Sequence, residues 1–189
     1  DVEKARKDFA YFWDVVGGKP PAEHHLEWHK YLCTGDDSIC LKSIAGPNID
    51  ILAPRGSAKS TVLGLYTAWA IGVHALNKMP LKILYISYTV DVARPKSAAI
   101  KRIIEESKIY KEIFPTVKIA KGINSNEYWS IDWKFAGIKS TGEEEFTVCC
   151  AGLKGAVTSK RSHLCIIDDA IKSADDIKNK DIRQAMEDN

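Results

Sequence analysis

The segment that most constrains this chain is residues 61–76, TVLGLYTAWAIGVHAL, a helix-length stretch that is apolar on nearly every face. Such a helix has to be covered all round, so it belongs inside a packed domain. Its neighbours can supply the cover. Ahead of it, Asn48-Ile49-Asp50-Ile51-Leu52-Ala53 reads as a strand, and behind it Lys82-Ile83-Leu84-Tyr85-Ile86-Ser87-Tyr88 reads as a central strand. Strand, turn, helix, strand is the α/β pattern, and it predicts a mainly parallel sheet flanked by helices. Thr67 and His74 interrupt the apolar stretch, which is too short to span a bilayer. With 45% hydrophobic and 28% charged residues over a length of 189, the chain has the composition of a globular protein with one sizeable core. That composition excludes disordered, collagen-like and membrane classes.

Other elements follow from periodicity. Residues 2–16 place Phe9, Phe12, Trp13 and Val16 on one helix face, and Gly17-Gly18-Lys19-Pro20-Pro21 ends that helix in a linker. A second helix is predicted over 22–32 with Leu26, Trp28 and Leu32 as its apolar positions, and an amphipathic helix over 96–109 starting near Pro95. Trp129, Ile131, Trp133 and Phe135 alternate with polar neighbours as in a half-buried strand, and residues 146–151 form another. A polar helix over 173–186 opens with capping-box-like spacing at Ser173 and Asp176. The expected division is an N-terminal helix and linker over 1–20 and an α/β domain over 21–189. The charged opening Asp1-Val2-Glu3-Lys4 lacks the apolar core of a signal peptide. Of the five cysteines, Cys33 and Cys40 show no zinc spacing with the rest, and Cys149, Cys150 and Cys165 sit in apolar runs that predict buried free thiols, which favours a reducing, cytosolic compartment.

The turn before the central helix carries chemistry. Ala53-Pro54-Arg55-Gly56-Ser57-Ala58-Lys59-Ser60-Thr61 matches the phosphate-loop pattern G-x-x-x-x-G-K-[ST] at its Lys-Ser end, with Ala53 and Ala58 in place of both glycines. The chemistry needs a tight turn with backbone N–H groups facing phosphate oxygens, a helix N-terminus behind it, a lysine for the β and γ phosphates and a hydroxyl for Mg²⁺. Gly56, the small Ala58, Lys59 and Ser60 can supply these. An ordinary strand-to-helix turn with a solvated Lys59 is the alternative, although a cation in the first turn opposes the helix dipole.

A second feature is His163-Leu164-Cys165-Ile166-Ile167-Asp168-Asp169, a short apolar strand ending in two carboxylates. In parallel α/β sheets the C-terminal ends of strands line the ligand crevice. Asp168 would there bind Mg²⁺ through water and Asp169 would reach an attacking water. A turn or helix cap is the plainer reading of these two acids.

Net charge is only +2, from 27 Lys+Arg against 25 Asp+Glu, so any nucleic-acid site has to be a local patch. Residues 94–121 form one candidate, with Arg94, Lys96, Lys101, Arg102, Lys108, Lys111, Lys118 and Lys121 against Glu105, Glu106 and Glu112. A solvated helix face is the ordinary meaning of such a run. His24, His25 and His29, of which the last two stand one helical turn apart, lack the HExxH spacing of a zincin site, which argues against a metal centre.

Together these motifs resemble the large terminase subunit of tailed bacteriophages, the ATPase of the DNA-packaging motor, in its T7-like form. The resemblance rests on HHLEWHKYL, ILAPRGSAKST, ILYISYT with its basic helix, YKEIFP and AGLKGAVTSKRSHLCIIDDA. It implies a P-loop NTPase of RecA/ASCE-like type that uses ATP and Mg²⁺. Pro54, Arg55, Gly56, Ser57, Ala58, Lys59, Ser60 and Thr61 would surround the nucleotide. Ser60 and Asp168 would hold the metal, Asp169 would act on the attacking water, and Arg55 and Lys59 would face the γ-phosphate. Arg161 would act from a neighbouring subunit or on DNA; a family arginine a few residues earlier is Thr158 here, and the usual Asp-Glu strand end is Asp-Asp. His29 or Trp28 would lie near the adenine. Implied partners are double-stranded DNA, a portal protein, a small terminase subunit and further copies in a ring on the procapsid, in the host cytoplasm and away from membranes. The chain would then be the ATP-binding portion of a longer protein whose nuclease lies outside it. A helicase-like or remodelling ATPase, or a nucleotide-binding module without hydrolysis, are the alternative readings.

Overall fold

The computed structural model describes residues 1–32, 49–140, 146–153 and 161–170. Seven helices and five strands occur among them: α1 (Val2–Lys7), α2 (Phe9–Gly17), α3 (Glu23–Leu32), α4 (Lys59–Leu76), β1 (Ile83–Ser87), α5 (Val90–Glu106), α6 (Lys108–Ile113), β2 (Ile119–Asn124), β3 (Tyr128–Ile131), α7 (Trp133–Ala136), β4 (Val148–Gly152) and β5 (Leu164–Ile167). The strands form one mixed sheet in the order β2-β3-β4-β1-β5. β1 runs parallel to β4, with Ile83 opposite Val148, and parallel to β5, with Ile83 opposite Leu164. β3 is antiparallel to both β4 and β2. The protein is therefore an α/β protein, with a parallel half that carries the two-acid strand and an antiparallel half built from β2 and β3.

β1 is buried along its whole length, as its unbroken apolar run predicts for a central strand. Ile83 and Tyr85 join α4, α5 and the N-terminal helices in the main core, whereas Leu84 and Ile86 form a smaller cluster with Phe146 and Cys149 on the opposite face. Among the described residues, helices contribute only to the first of these clusters. The apolar helix α4 is buried from Leu65 to Ala75. Its Gly72 is required by close packing, since an added Cβ would overlap the ring of Phe114, itself fully buried. No helix among the described residues is long and apolar enough to cross a membrane.

Several expectations are corrected. The helix predicted over 2–16 is two helices, broken at Asp8 (φ −118, ψ 106), whose carboxylate accepts the Tyr11 N–H at 3.1 Å and caps α2. The break lets α1 and α2 both pack on α4: Trp69 Nε1 donates to the Ala5 carbonyl at 3.0 Å, and Phe9 and Phe12 are fully buried. In α3, Leu26 is exposed and His25 takes the buried position. The helix expected to begin near Pro95 begins at Val90, because its buried stripe of Ala93, Ser97, Ile100 and Ile104 already starts ahead of the proline. The alternation from Trp129 to Phe135 ends at Ile131. Asp132 there caps a single helical turn by accepting the Phe135 N–H at 2.9 Å, which buries Trp133 and exposes Phe135. Cys149 and Cys150 are buried free thiols, but Cys165 is exposed, because β5 is bonded only to β1 among the described residues. The strand expected over 48–53 is absent from residues 49–53, which pair with no strand of the described sheet and leave Leu52 exposed. Cys33, Cys40, Asn48, Thr158 and the helix predicted over 173–186 lie outside the described residues.

Candidate functional site

The phosphate-loop residues form a tight turn immediately before α4. The Ser57 hydroxyl donates to the Pro54 carbonyl at 2.7 Å, and Gly56 takes a left-handed conformation (φ 85). Ala58 is also left-handed (φ 58, ψ 25), a region that costs an alanine roughly 1–2 kcal/mol and costs glycine almost nothing. The position where the motif has its second glycine thus keeps a glycine's backbone geometry. Ala58 puts no side-chain cap on α4, and the first intrahelical bond runs from the Val62 N–H to the Ala58 carbonyl at 3.0 Å. The N–H groups of Lys59, Ser60 and Thr61 consequently precede the helix ladder, the arrangement that receives an anion. Lys59 folds back over the loop, its Nζ donating to the carbonyls of Ala53 at 2.6 Å and Pro54 at 3.1 Å.

The second half of the site is the end of β5. The backbone is pinned by the Asp168 N–H to the Ile86 carbonyl at 2.9 Å and by the Tyr88 N–H to the Asp169 carbonyl at 3.1 Å. Asp168 is buried, only 3% exposed, and its Oδ2 accepts the Tyr85 hydroxyl at 3.0 Å. Burial and the adjacent Asp168 push the Tyr85 phenol well above its ordinary range, so it remains a donor to that carboxylate. Asp169 follows with a left-handed backbone (φ 53) and an exposed carboxylate. From α5, Lys96 reaches both acids, with Nζ 2.8 Å from Asp168 Oδ2 and 2.8 Å from Asp169 Oδ2.

The two halves face one another electrostatically. The Asp169 carboxyl is held below its ordinary value chiefly by the hydrogen bond from Lys96, which outweighs the opposing effect of burial, with smaller contributions from the charges of Lys96, Lys59 and Arg55. Lys59 and Arg55 thus lie within electrostatic reach of the strand-end acid, as minor contributors beside Lys96. A carboxylate held in this way is a weak base, suited to accepting a hydrogen bond from water rather than taking its proton outright.

Arg55 is exposed on the loop and Ser60 lies half-buried in the first turn of α4. Arg161 is not brought to this site. It precedes β5 at the N-terminal end of the strand, where the His163 N–H meets the Lys82 carbonyl at 2.8 Å, opposite the end that carries Asp168. The donor set suits Mg²⁺, a hard cation that takes one or two carboxylates and completes its shell with water and substrate phosphates. In continuing parallel register Ser87 stands next to Asp168 on the same face of the sheet, and its buried hydroxyl has no hydrogen-bond partner among the described residues. That oxygen leaves a polar group beside Asp168 able to meet a further polar partner.

Sequence reasoning did not assign to this site two residues that the fold places here. One is Lys96, read as part of a basic run. The other is His25, whose Nδ1 accepts the Ala22 N–H at 3.1 Å, so that Nε2 carries the proton and donates to the Ser57 carbonyl at 2.9 Å. His25 packs between Trp13, at 4.6 Å between ring centroids, and Trp28, at 5.2 Å. It ties α3 to the phosphate loop. A legible signal existed, because a side chain three residues past a helix start that reaches back to the cap N–H is half of a capping box, here made by histidine. His29 and Trp28 both have ring partners within the fold, Phe9 for His29 and His24 and His25 for Trp28. Burial lowers the His29 pKa against the weaker pull of Asp8.

Three of the eight cations in the basic run over 94–121 are matched by acids outside it. Arg94 pairs with Asp91 and Glu127, Lys96 with the strand-end acids and Lys118 with Asp132. No protein-family model matches the chain, and no curated protein matches it.

Proposed function

We propose that this protein is a P-loop ATPase, and that the resemblance to terminase large subunits gives its role: ATP hydrolysis that drives double-stranded DNA into a viral procapsid. The observation that carries the reading is the meeting of two separate motifs. A lysine-bearing turn at a helix N-terminus without a side-chain cap, left-handed at Ala58, lies within electrostatic reach of the acid that ends β5.

On this reading the triphosphate lies along the turn, with the N–H groups of Lys59, Ser60 and Thr61 donating to its oxygens. Lys59 exchanges its carbonyl partners for the β and γ phosphates. Mg²⁺, when bound, offsets phosphate charge, and Ser60 and Asp168 are the residues that would hold it. Asp169 accepts a hydrogen bond from the attacking water and aligns it behind the γ-phosphorus, while Arg55 offsets the charge that spreads over the transferring group. The new P–O bond forms from water as the bond to ADP breaks, and the water's proton leaves with inorganic phosphate. Arg161 lies at the far end of β5, away from its own nucleotide, and on the resemblance it would act on a neighbouring subunit or on DNA.

A binding module without hydrolysis is the second reading, favoured by the pairing of Asp169 with Lys96 and by its weak basicity. Steady-state ATPase assays on the full-length protein with DNA separate the two. Lys59→Ala and Asp169→Ala should each lower turnover by about 10²-fold or more. Retention of most activity in either variant would overturn the assignment, and ATP binding without turnover in the unaltered protein would favour the second reading.

A further inference from the structure

Lys96 lies outside both motifs, yet it makes the closest charged contacts in the site. Its ammonium sits 2.8 Å from one oxygen of each strand-end carboxylate, and the Asp168 oxygen it contacts is the one that also accepts the Tyr85 hydroxyl. Asp168 is nearly inaccessible to water, so without a cation beside it the fold would hold a buried, uncompensated carboxylate, which is strongly destabilising. An ammonium group at that point fills the place a metal ion would take against the same oxygen. The lysine is only 17% exposed but ends a flexible four-carbon tether, from a helix that packs beside β1 and β4. Lys59 behaves in parallel, resting on the Ala53 and Pro54 carbonyls. Each lysine thus rests on oxygens of the protein itself.

We propose that Lys96 is a tethered competitor for the metal position: its ammonium neutralises Asp168 and Asp169 until a divalent cation arrives, and the cation binds only as Lys96 swings off the Asp168 oxygen. The inference rests on the reading of Asp168 as a metal-holding residue. Two positive groups cannot share one oxygen at contact distance without strong repulsion, so the lysine weakens binding of a free divalent ion. A bound triphosphate relieves the competition by offering Lys96 new anionic acceptors. Metal and nucleotide would then enter together, which guards the site against Mg²⁺ alone.

The test is binding of Mn²⁺ alone, without nucleotide, followed by electron paramagnetic resonance on the full chain. Lys96→Met and Lys96→Gln should bind Mn²⁺ at least tenfold more tightly than the unaltered protein. Lys96→Arg, which keeps the charge, should not. Lys96→Gln retains a hydrogen-bond donor beside Asp168, so it keeps the test open if Lys96→Met fails to fold. Asp168→Asn serves as the reference. If it abolishes Mn²⁺ binding while both neutral variants bind no more tightly than the unaltered protein, the competition is disproved and Asp168 stands as a metal residue. If Asp168→Asn leaves Mn²⁺ binding unchanged, the competition and the metal role of Asp168 fall together.

Discussion

The two ends of α4 obey different rules. Toward its C-terminus Ala68, Trp69, Ala70 and Ile71 are all within 2% of complete burial, and Gly72 lies so close to Phe114 that a methyl group has no room. At its N-terminus Ala58 holds a left-handed backbone, no side chain caps the helix, and Lys59 stands where a cation opposes the helix dipole. The first end is shaped by packing alone. The second keeps local strain and unpaired backbone donors, which persist because the packed end fixes the helix in place. On the proposed reading, a site that receives phosphate cannot also be optimised as a helix terminus, and the contrast within one helix follows from that conflict.

Three substitutions probe the contrast. The largest effect is expected at the packed end. Gly72→Ala should lower stability by about 2–3 kcal/mol through overpacking against Phe114, measured by urea unfolding, while nucleotide affinity of the folded fraction stays unchanged. His25→Ala acts at the seam between the N-terminal helices and the loop. Losing the bonds to Ala22 and Ser57 should cost about 1–2 kcal/mol and weaken nucleotide binding several-fold, and an affinity equal to that of the unaltered protein would show that the seam does not position the loop. Ala58→Gly is the gentlest. It removes the left-handed strain but adds unfolded-chain entropy, so stability should change by less than about 1 kcal/mol with undiminished nucleotide affinity. A loss of more than that would mean that the alanine methyl group makes contacts the loop depends on.

How much of this was legible depends on the range of the interactions. The apolar runs of α4, β1 and β4 announced themselves because a segment buried on nearly all sides needs no knowledge of its partners. Residues 49–53 have a strand-like sequence, but a strand exists only with a neighbour, and the described sheet gives them none. Asp8 and Asp132 broke expected elements through side-chain caps spanning three residues, local signals that period counting overlooks. In the candidate site, Lys59, Ser60, Asp168 and Asp169 were proposed from motif chemistry. Lys96 was not, since the acids it joins lie over seventy residues away and its neighbours in sequence made it look like part of a solvated face. The left-handed state of Ala58 was hidden for the opposite reason: the residue type argued against the conformation that the loop imposes.

The central claim is that residues 54–61 and the end of β5 close around one triphosphate. Backbone amide hydrogen exchange of the full chain with and without Mg·ATP tests it most directly, because it needs neither turnover nor partners. The account predicts exchange slowed by about tenfold or more at Gly56 through Thr61 and at Asp168 and Asp169, with Lys59→Ala abolishing the protection. Nucleotide-dependent protection elsewhere in the chain, with these amides unchanged, would contradict it.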